Sequence, residues 1–163
     1  MKKYLNVLVT ILLIIFQVTV LSRFKLFGFN CNLALVCVII VAAVSKTNIS
    51  IINAVLAGIL YDMFACYNVG WHLVMFTVIA LIMFAMIKYM YNGSLIAVVI
   101  LTALFTVITE LILCNFGYLH SHTYGSLAFV RYILPQTFIN VTASFILFPL
   151  FKGINKTEKN YRY

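Results

Sequence analysis

The chain has 163 residues, of which 65% are hydrophobic and only 9% are charged. A soluble domain averages about 25% charged residues, and a water-soluble core of this size would not hold so much apolar surface. The composition therefore excludes a soluble domain and predicts an integral membrane protein. The net charge of +8 then reports on membrane topology rather than on nucleic-acid binding, because no basic stripe with interleaved aromatic residues is present.

Six apolar segments follow one another along the chain, each close to the roughly 20 residues that a helix needs to span a bilayer. Their hydrophobicity is continuous rather than alternating, which favours helices over β-strands. Gly28, Asn30 and Asn32 interrupt the first half of the second segment and allow it to enter the membrane only near Leu33. The sequence predicts one domain over residues 1–163, with spans at 4–21, 27–45, 48–65, 70–89, 94–116 and 127–151.

The distribution of basic residues predicts the orientation of these six spans. With the N-terminus inside, eight basic residues fall in inner segments and two, Arg23 and Lys25, in outer loops. The inner set is Lys2, Lys3, Lys46, Lys88, Lys152, Lys156, Lys159 and Arg162. The positive-inside rule therefore places both termini in the cytoplasm. The basic tail, residues 152–163, is suited to anionic lipid or to a cytoplasmic partner.

The third span carries a ridge of residues spaced four apart, which share one face of a helix. Three of them, Ser50, Ala54 and Gly58, are small and permit close approach of another helix. The fourth, Asp62, is an ionisable group within a membrane segment and therefore a candidate functional residue. A short turn containing Gly70 follows, and Trp71 stands where an anchor at the membrane interface is expected.

Two further charged residues, Glu110 and Arg131, lie within the predicted spans and, like Asp62, in the outer third of the bilayer. A lone arginine at the bilayer centre costs roughly 2.5–3.5 kcal/mol on the insertion scale. We therefore predict that Arg131 faces Glu110 or Asp62. The group is either a structural ion pair that fixes the helix register or a site or partner surface.

The sixth span combines a proline with a polar face. Pro135 favours a kink about two turns into the helix, and Gln136, Asn140 and Ser144 follow at helical spacing. Side-chain amides in a helix bundle usually bond to a neighbouring helix. No catalytic motif or ligand spacing is present; the three histidines, His72, His120 and His122, lack a completing carboxylate or thiol. We expect no enzyme activity, no metal and no cofactor.

Several of these motifs resemble those of the rod shape-determining protein MreD family. Gly58-x-x-x-Asp62 and the turn to Gly70-Trp71-His72-Leu73 are similar to the family's G-x-x-x-D and L-G-x-x-x-L region. Phe27-Gly28 leading to Asn32-Leu33 resembles its G-x-x-P-D/N-L motif, with Cys31 in place of proline. The segment Leu134-Pro135-Gln136 with Asn140 and Pro149 is similar to its L-P-x-x-x-x-N pattern and closing proline.

The resemblance covers nearly the whole chain and implies a non-enzymatic component of the bacterial elongation machinery in the inner membrane. It implies binding to an MreC-like bitopic protein and an indirect link between MreB filaments and a peptidoglycan polymerase and transpeptidase. It also implies a fold similar to the substrate-binding subunits of energy-coupling-factor vitamin transporters. A subunit of that kind is the alternative function, although segment 4–21 lacks the alanine or glycine of their docking motif.

Overall fold

The computed structural model describes residues 5–21, 31–65, 70–87, 94–121 and 133–155, with side chains for all of these except 65, 87 and 114–121. The described residues are almost entirely helical. Helix α1 (Leu5–Phe16) continues as a π-helical segment (Gln17–Leu21), and the others are α2 (Leu33–Val44), α3 (Thr47–Ala65), α4 (Trp71–Ile87), α5 (Leu95–Ser121) and α6 (Leu134–Asn155).

Three of the helices, α3, α5 and α6, are long and apolar enough to cross a membrane, and the other three are shorter but apolar. Helix α2 begins at Leu33, directly after the interruption in the second apolar segment. Helix α5 continues past residue 116, a predicted span end, to Ser121, and α6 continues past residue 151 to Asn155; the spans themselves stay a prediction. Backbone hydrogen bonding continues there into polar residues, which hydrophobicity alone does not detect.

Helix α2 is the centre of the bundle. Every residue from 31 to 43 is buried, and α2 packs against all five other helices. Further contacts pair α3 with α4, α3 with α1, α5 with α6 and, over a smaller area, α1 with α6. A helix that is apolar on all sides suits such a buried position. With 12 residues, α2 is about 18 Å long, shorter than the ~30 Å hydrocarbon core of a bilayer.

The outward faces of the helices are apolar, and many buried positions are polar. On α5, Ile96, Ile100, Leu104 and Ile108 are exposed at four-residue intervals. Buried Thr102, Thr106 and Thr109 lie on the same helix but face inward. Such a distribution suits a lipid environment, where buried polar groups join helices and apolar side chains meet the bilayer.

Polar side chains join α1, α2 and α6 at one end of the bundle. The Asn6 amide donates to the Ser45 hydroxyl at 2.8 Å and to Asn155 Oδ1 at 2.9 Å, and Asn155 Nδ2 donates back to Asn6 Oδ1 at 3.3 Å. The start of α1 and the end of α6 therefore lie together. This agrees with termini on the same side of a membrane; their cytoplasmic location stays a prediction.

Candidate functional site

Gly58 is the point where the backbones of α3 and α4 touch. A Cβ atom at this position would lie 2.4 Å from Leu73 Cα, 2.8 Å from Leu73 N and 3.0 Å from the His72 carbonyl oxygen. These are backbone atoms, which cannot rotate away as the end of a flexible side chain can. Only glycine allows the two helices to pack at this distance.

Asp62, one turn beyond Gly58 on α3, binds the start of α4. Its Oδ2 accepts hydrogen bonds from the backbone N–H groups of Gly70 and Leu73, both at 3.0 Å. Its Oδ1 accepts from the His72 backbone N–H at 3.1 Å and contacts His72 Nδ1 at 2.8 Å. The carboxylate is buried, with 5% of the residue exposed.

The contact between Asp62 and α4 replaces an ordinary helix N-cap. The first helical turn leaves backbone N–H groups unpaired, and the residue before the helix usually supplies a side-chain acceptor. Here that residue is Gly70, which has no side chain and has a φ of +94°. Asp62 supplies the acceptor from the neighbouring helix, and its negative charge suits the positive end of the helix dipole.

His72 also belongs to this site, although the sequence analysis predicted no contact for it with Asp62. Its ring lies 4.5 Å from that of Tyr61 and 5.7 Å from that of Phe76, measured between centroids. These aromatic side chains cover the contact between Asp62 and His72, which leaves the His72 side chain 13% exposed. His72 lies in the first turn of α4, shortly after Asp62 in the chain. This position was the sequence signal for its contact with Asp62.

The predicted ridge on α3 is buried within the chain. Ala54 is fully buried, Ser50 is 4% exposed, and Gly58 meets α4. Trp71, the predicted interface anchor, is the first residue of α4 and is half-buried. The described contacts of the ridge are therefore internal.

Asn140 on α6 organises a second polar site, at the start of α2. Its Oδ1 accepts from the Asn32 backbone N–H at 2.8 Å and lies 3.5 Å from Cys31 Sγ, while its Nδ2 donates to Thr106 Oγ1 on α5 at 3.3 Å. One amide thus joins α2, α5 and α6. Its position in the L-P-x-x-x-x-N pattern indicated a polar residue but not these partners.

Two further acceptors complete the start of α2. The Asn32 side chain accepts from Leu35 N at 3.1 Å, and Gln17 Oε1, from the π-helical end of α1, accepts from Ala34 N at 3.3 Å. Because α2 is short and buried, its first backbone N–H groups need partners inside the protein. The sequence analysis did not identify Gln17, which lies 17 residues from its partner.

Glu110 and Gln136 form a hydrogen bond between α5 and α6. Gln136 Nε2 donates to Glu110 Oε1 at 2.6 Å, and both residues are partly buried. Pro135 lies in the first turn of α6 as described, and Pro149 is the proline inside that helix. Arg131 lies outside the described residues, and so does the rest of 127–132, the start of the predicted span in which the kink at Pro135 would be tested.

We expect Arg131 to pair with Glu110 rather than with Asp62. Asp62 already has four partners on its two oxygens, whereas Gln136 is the one donor to Glu110 among the described residues. Arg131→Glu should lower the yield of folded protein in membranes severalfold, since it places two carboxylates together. Combining it with Glu110→Arg should restore the yield, as measured by size-exclusion chromatography in detergent.

The matched control for this pairing combines Arg131→Glu with Asp62→Arg, which we expect to give no recovery. Recovery by the Asp62 exchange, or none by the Glu110 exchange, would contradict the assignment.

The described residues contain no group of three or more histidine, cysteine, aspartate and glutamate side chains that could hold a metal ion. Cys31 and Cys37 are free and buried. In the described part of the chain, the polar side chains of both sites join helices to one another.

Comparison with known protein families identifies a match. The family model of the rod shape-determining protein MreD matches residues 1–156 of the 163-residue chain. No curated protein and no solved structure matches the chain.

Proposed function

Because the chain belongs to the MreD family of rod shape-determining membrane proteins, we propose that it is a non-enzymatic scaffold of the bacterial cell-elongation complex. In this proposal it lies in the inner membrane with six spans and both termini in the cytoplasm. It binds an MreC-like bitopic protein and helps to couple MreB filaments in the cytoplasm to the peptidoglycan polymerase and transpeptidase.

The observation that carries this proposal is the family match over residues 1–156. The use of polar groups in the described residues supports it. Asp62 binds the start of α4, Asn140 joins α5 and α6 to α2, and Asn6 joins α1 to α2 and α6. Hydrogen bonds of this kind between helices hold a bundle in one shape, as a scaffold requires.

In this proposal the buried ridge on α3 acts indirectly, through the packing of that helix. Ser50, Ala54 and Gly58 are covered by the chain's own helices, so they support partner binding by holding α3 against its neighbours. Among the described residues, the predicted site residues that are only partly buried, and so still open to a partner, are Gly70, Trp71, Glu110, Pro135 and Gln136.

Co-expression with the organism's MreC-like protein, followed by purification in mild detergent, tests the proposal. We expect a stoichiometric complex that survives size-exclusion chromatography. An unrelated single-span protein at the same expression level is the control and should separate from the chain. Two folded and abundant proteins that elute separately would contradict the scaffold proposal.

A further inference from the structure

Three polar atoms in the first half of α3 are buried and have no hydrogen-bond partner among the residues that the structure describes: Asn53 Oδ1, Asn53 Nδ2 and Ser50 Oγ. Asn53 is 1% exposed and Ser50 is 4% exposed. Residues three apart are neighbours on a helix surface, so the amide and the hydroxyl form one polar patch. Most buried polar groups in proteins have a partner, either protein or ordered water.

The patch is buried in the bundle, and its amide, from Asn53, lies on a different side of α3 from the contact with α4. Gly58 contacts α4, and Asn53 precedes it by five residues, which is about 140° around an ideal helix. Besides α4, helix α3 packs against α1 and α2. With 1% of Asn53 exposed, a partner protein cannot reach it, so a ligand of this patch must lie inside the bundle.

The chemistry of the patch selects the ligand. A cation would meet the amide N–H₂ group, which is a donor, and Asp62 stands nine residues further along the helix, about 13 Å away. A water molecule can accept from the amide nitrogen and donate to the amide oxygen or the hydroxyl. Buried waters typically make about three hydrogen bonds to polar groups that are otherwise unpaired.

We propose that Asn53 and Ser50 hold a buried water molecule between α3 and the α1–α2 side of the bundle. The water is part of the fold and does not depend on the proposed scaffold function. The water gives the first half of α3 a polar contact with the bundle. At the other end of the helix, Asp62 makes its hydrogen bonds directly.

A double-mutant cycle with Asn53→Leu and Ser50→Ala tests the shared water. Thermal unfolding in detergent is followed by the fluorescence of Trp71, the single tryptophan. We expect Asn53→Leu to lower the midpoint by about 2–4 °C, as the loss of a satisfied buried group does in a chain of this size. The double variant should lose less than the sum of the single losses, because both lose the same water.

The control is Asn48→Leu, which changes an exposed asparagine of the same helix and should show no coupling to Ser50→Ala. A midpoint that is unchanged or raised by Asn53→Leu would overturn the proposal, because removing a dry, unpaired amide is neutral or stabilising. If the double variant loses the full sum of the two single losses in the unfolding midpoint, Asn53 and Ser50 do not share one water.

A high-resolution experimental structure of the unmodified chain provides an independent measurement if the variants do not fold. We expect density for a water within about 3.2 Å of both the Asn53 amide and the Ser50 hydroxyl. A direct hydrogen bond of the Asn53 amide to another side chain, or an empty site, would overturn the proposal.

Discussion

Gly58→Ala is expected to separate α3 from α4 and to lower the thermal unfolding midpoint of the protein strongly. The new Cβ would lie 2.4 Å from Leu73 Cα, and relief requires movement of a whole helix. Overpacking costs typically 1–3 kcal/mol. Here the movement also withdraws Leu73 N and its neighbours from Asp62, which places the loss at the upper end. We expect the midpoint, measured by Trp71 fluorescence in detergent, to fall by about 6–12 °C.

Gly153→Ala is the matched control, because Gly153 also lies within a helix but has no atom within 4 Å of an added Cβ. Alanine is favoured over glycine in a helix by roughly 0.5–1 kcal/mol, so this variant should be unchanged or slightly stabilised. Equal effects of the two substitutions would show that the contact between Gly58 and Leu73 does not limit the packing.

Asp62→Ala is expected to open the first turn of α4. It removes the acceptor for the N–H groups of Gly70, His72 and Leu73. Each buried donor left unpaired costs about 1–3 kcal/mol, so the loss is about 3 kcal/mol or more. Hydrogen–deuterium exchange followed by mass spectrometry should show much faster exchange over residues 70–74. Asp62→Asn should have a similar but smaller effect, because its amide nitrogen cannot accept from these donors.

The control for Asp62→Ala is the removal of an ordinary, exposed cap. Ser94 Oγ accepts from Ala97 N at the start of α5, and loss of such a cap typically costs about 1 kcal/mol. Ser94→Ala should therefore raise exchange only in the first turn of α5. Exchange over residues 70–74 that is as slow in Asp62→Ala as in the unmodified chain would contradict the capping role.

Several features of the fold follow from local sequence. Continuous hydrophobicity predicts the helical membrane class, and the interruption at Asn32 predicts the start of α2 at Leu33. The four-residue spacing of Ala54, Gly58 and Asp62 predicts a shared face because helix geometry fixes it. These are properties of one segment at a time, which is why composition and periodicity are sufficient for them.

The partners of the polar residues could not be predicted in the same way. Asn140 binds residues 108 and 34 positions away in the chain, and periodicity within one helix carries no information on which helix lies opposite. The hydrogen bonds from the start of α4 to both oxygens of Asp62 could not be predicted for a related reason. The acceptor and the helix that it caps lie on different elements, and Gly70, where a local cap is expected, has no side chain.

Gly58-x-x-x-Asp62 holds α3 and α4 together through contacts within the chain itself. The most direct test is the thermal unfolding midpoint of purified Asp62→Ala in the absence of any partner. We predict a midpoint well below that of the unmodified chain, because the lost hydrogen bonds are intramolecular. A variant that unfolds at the unmodified temperature, yet fails to bind the MreC-like protein, would contradict this claim and make Asp62 a partner contact.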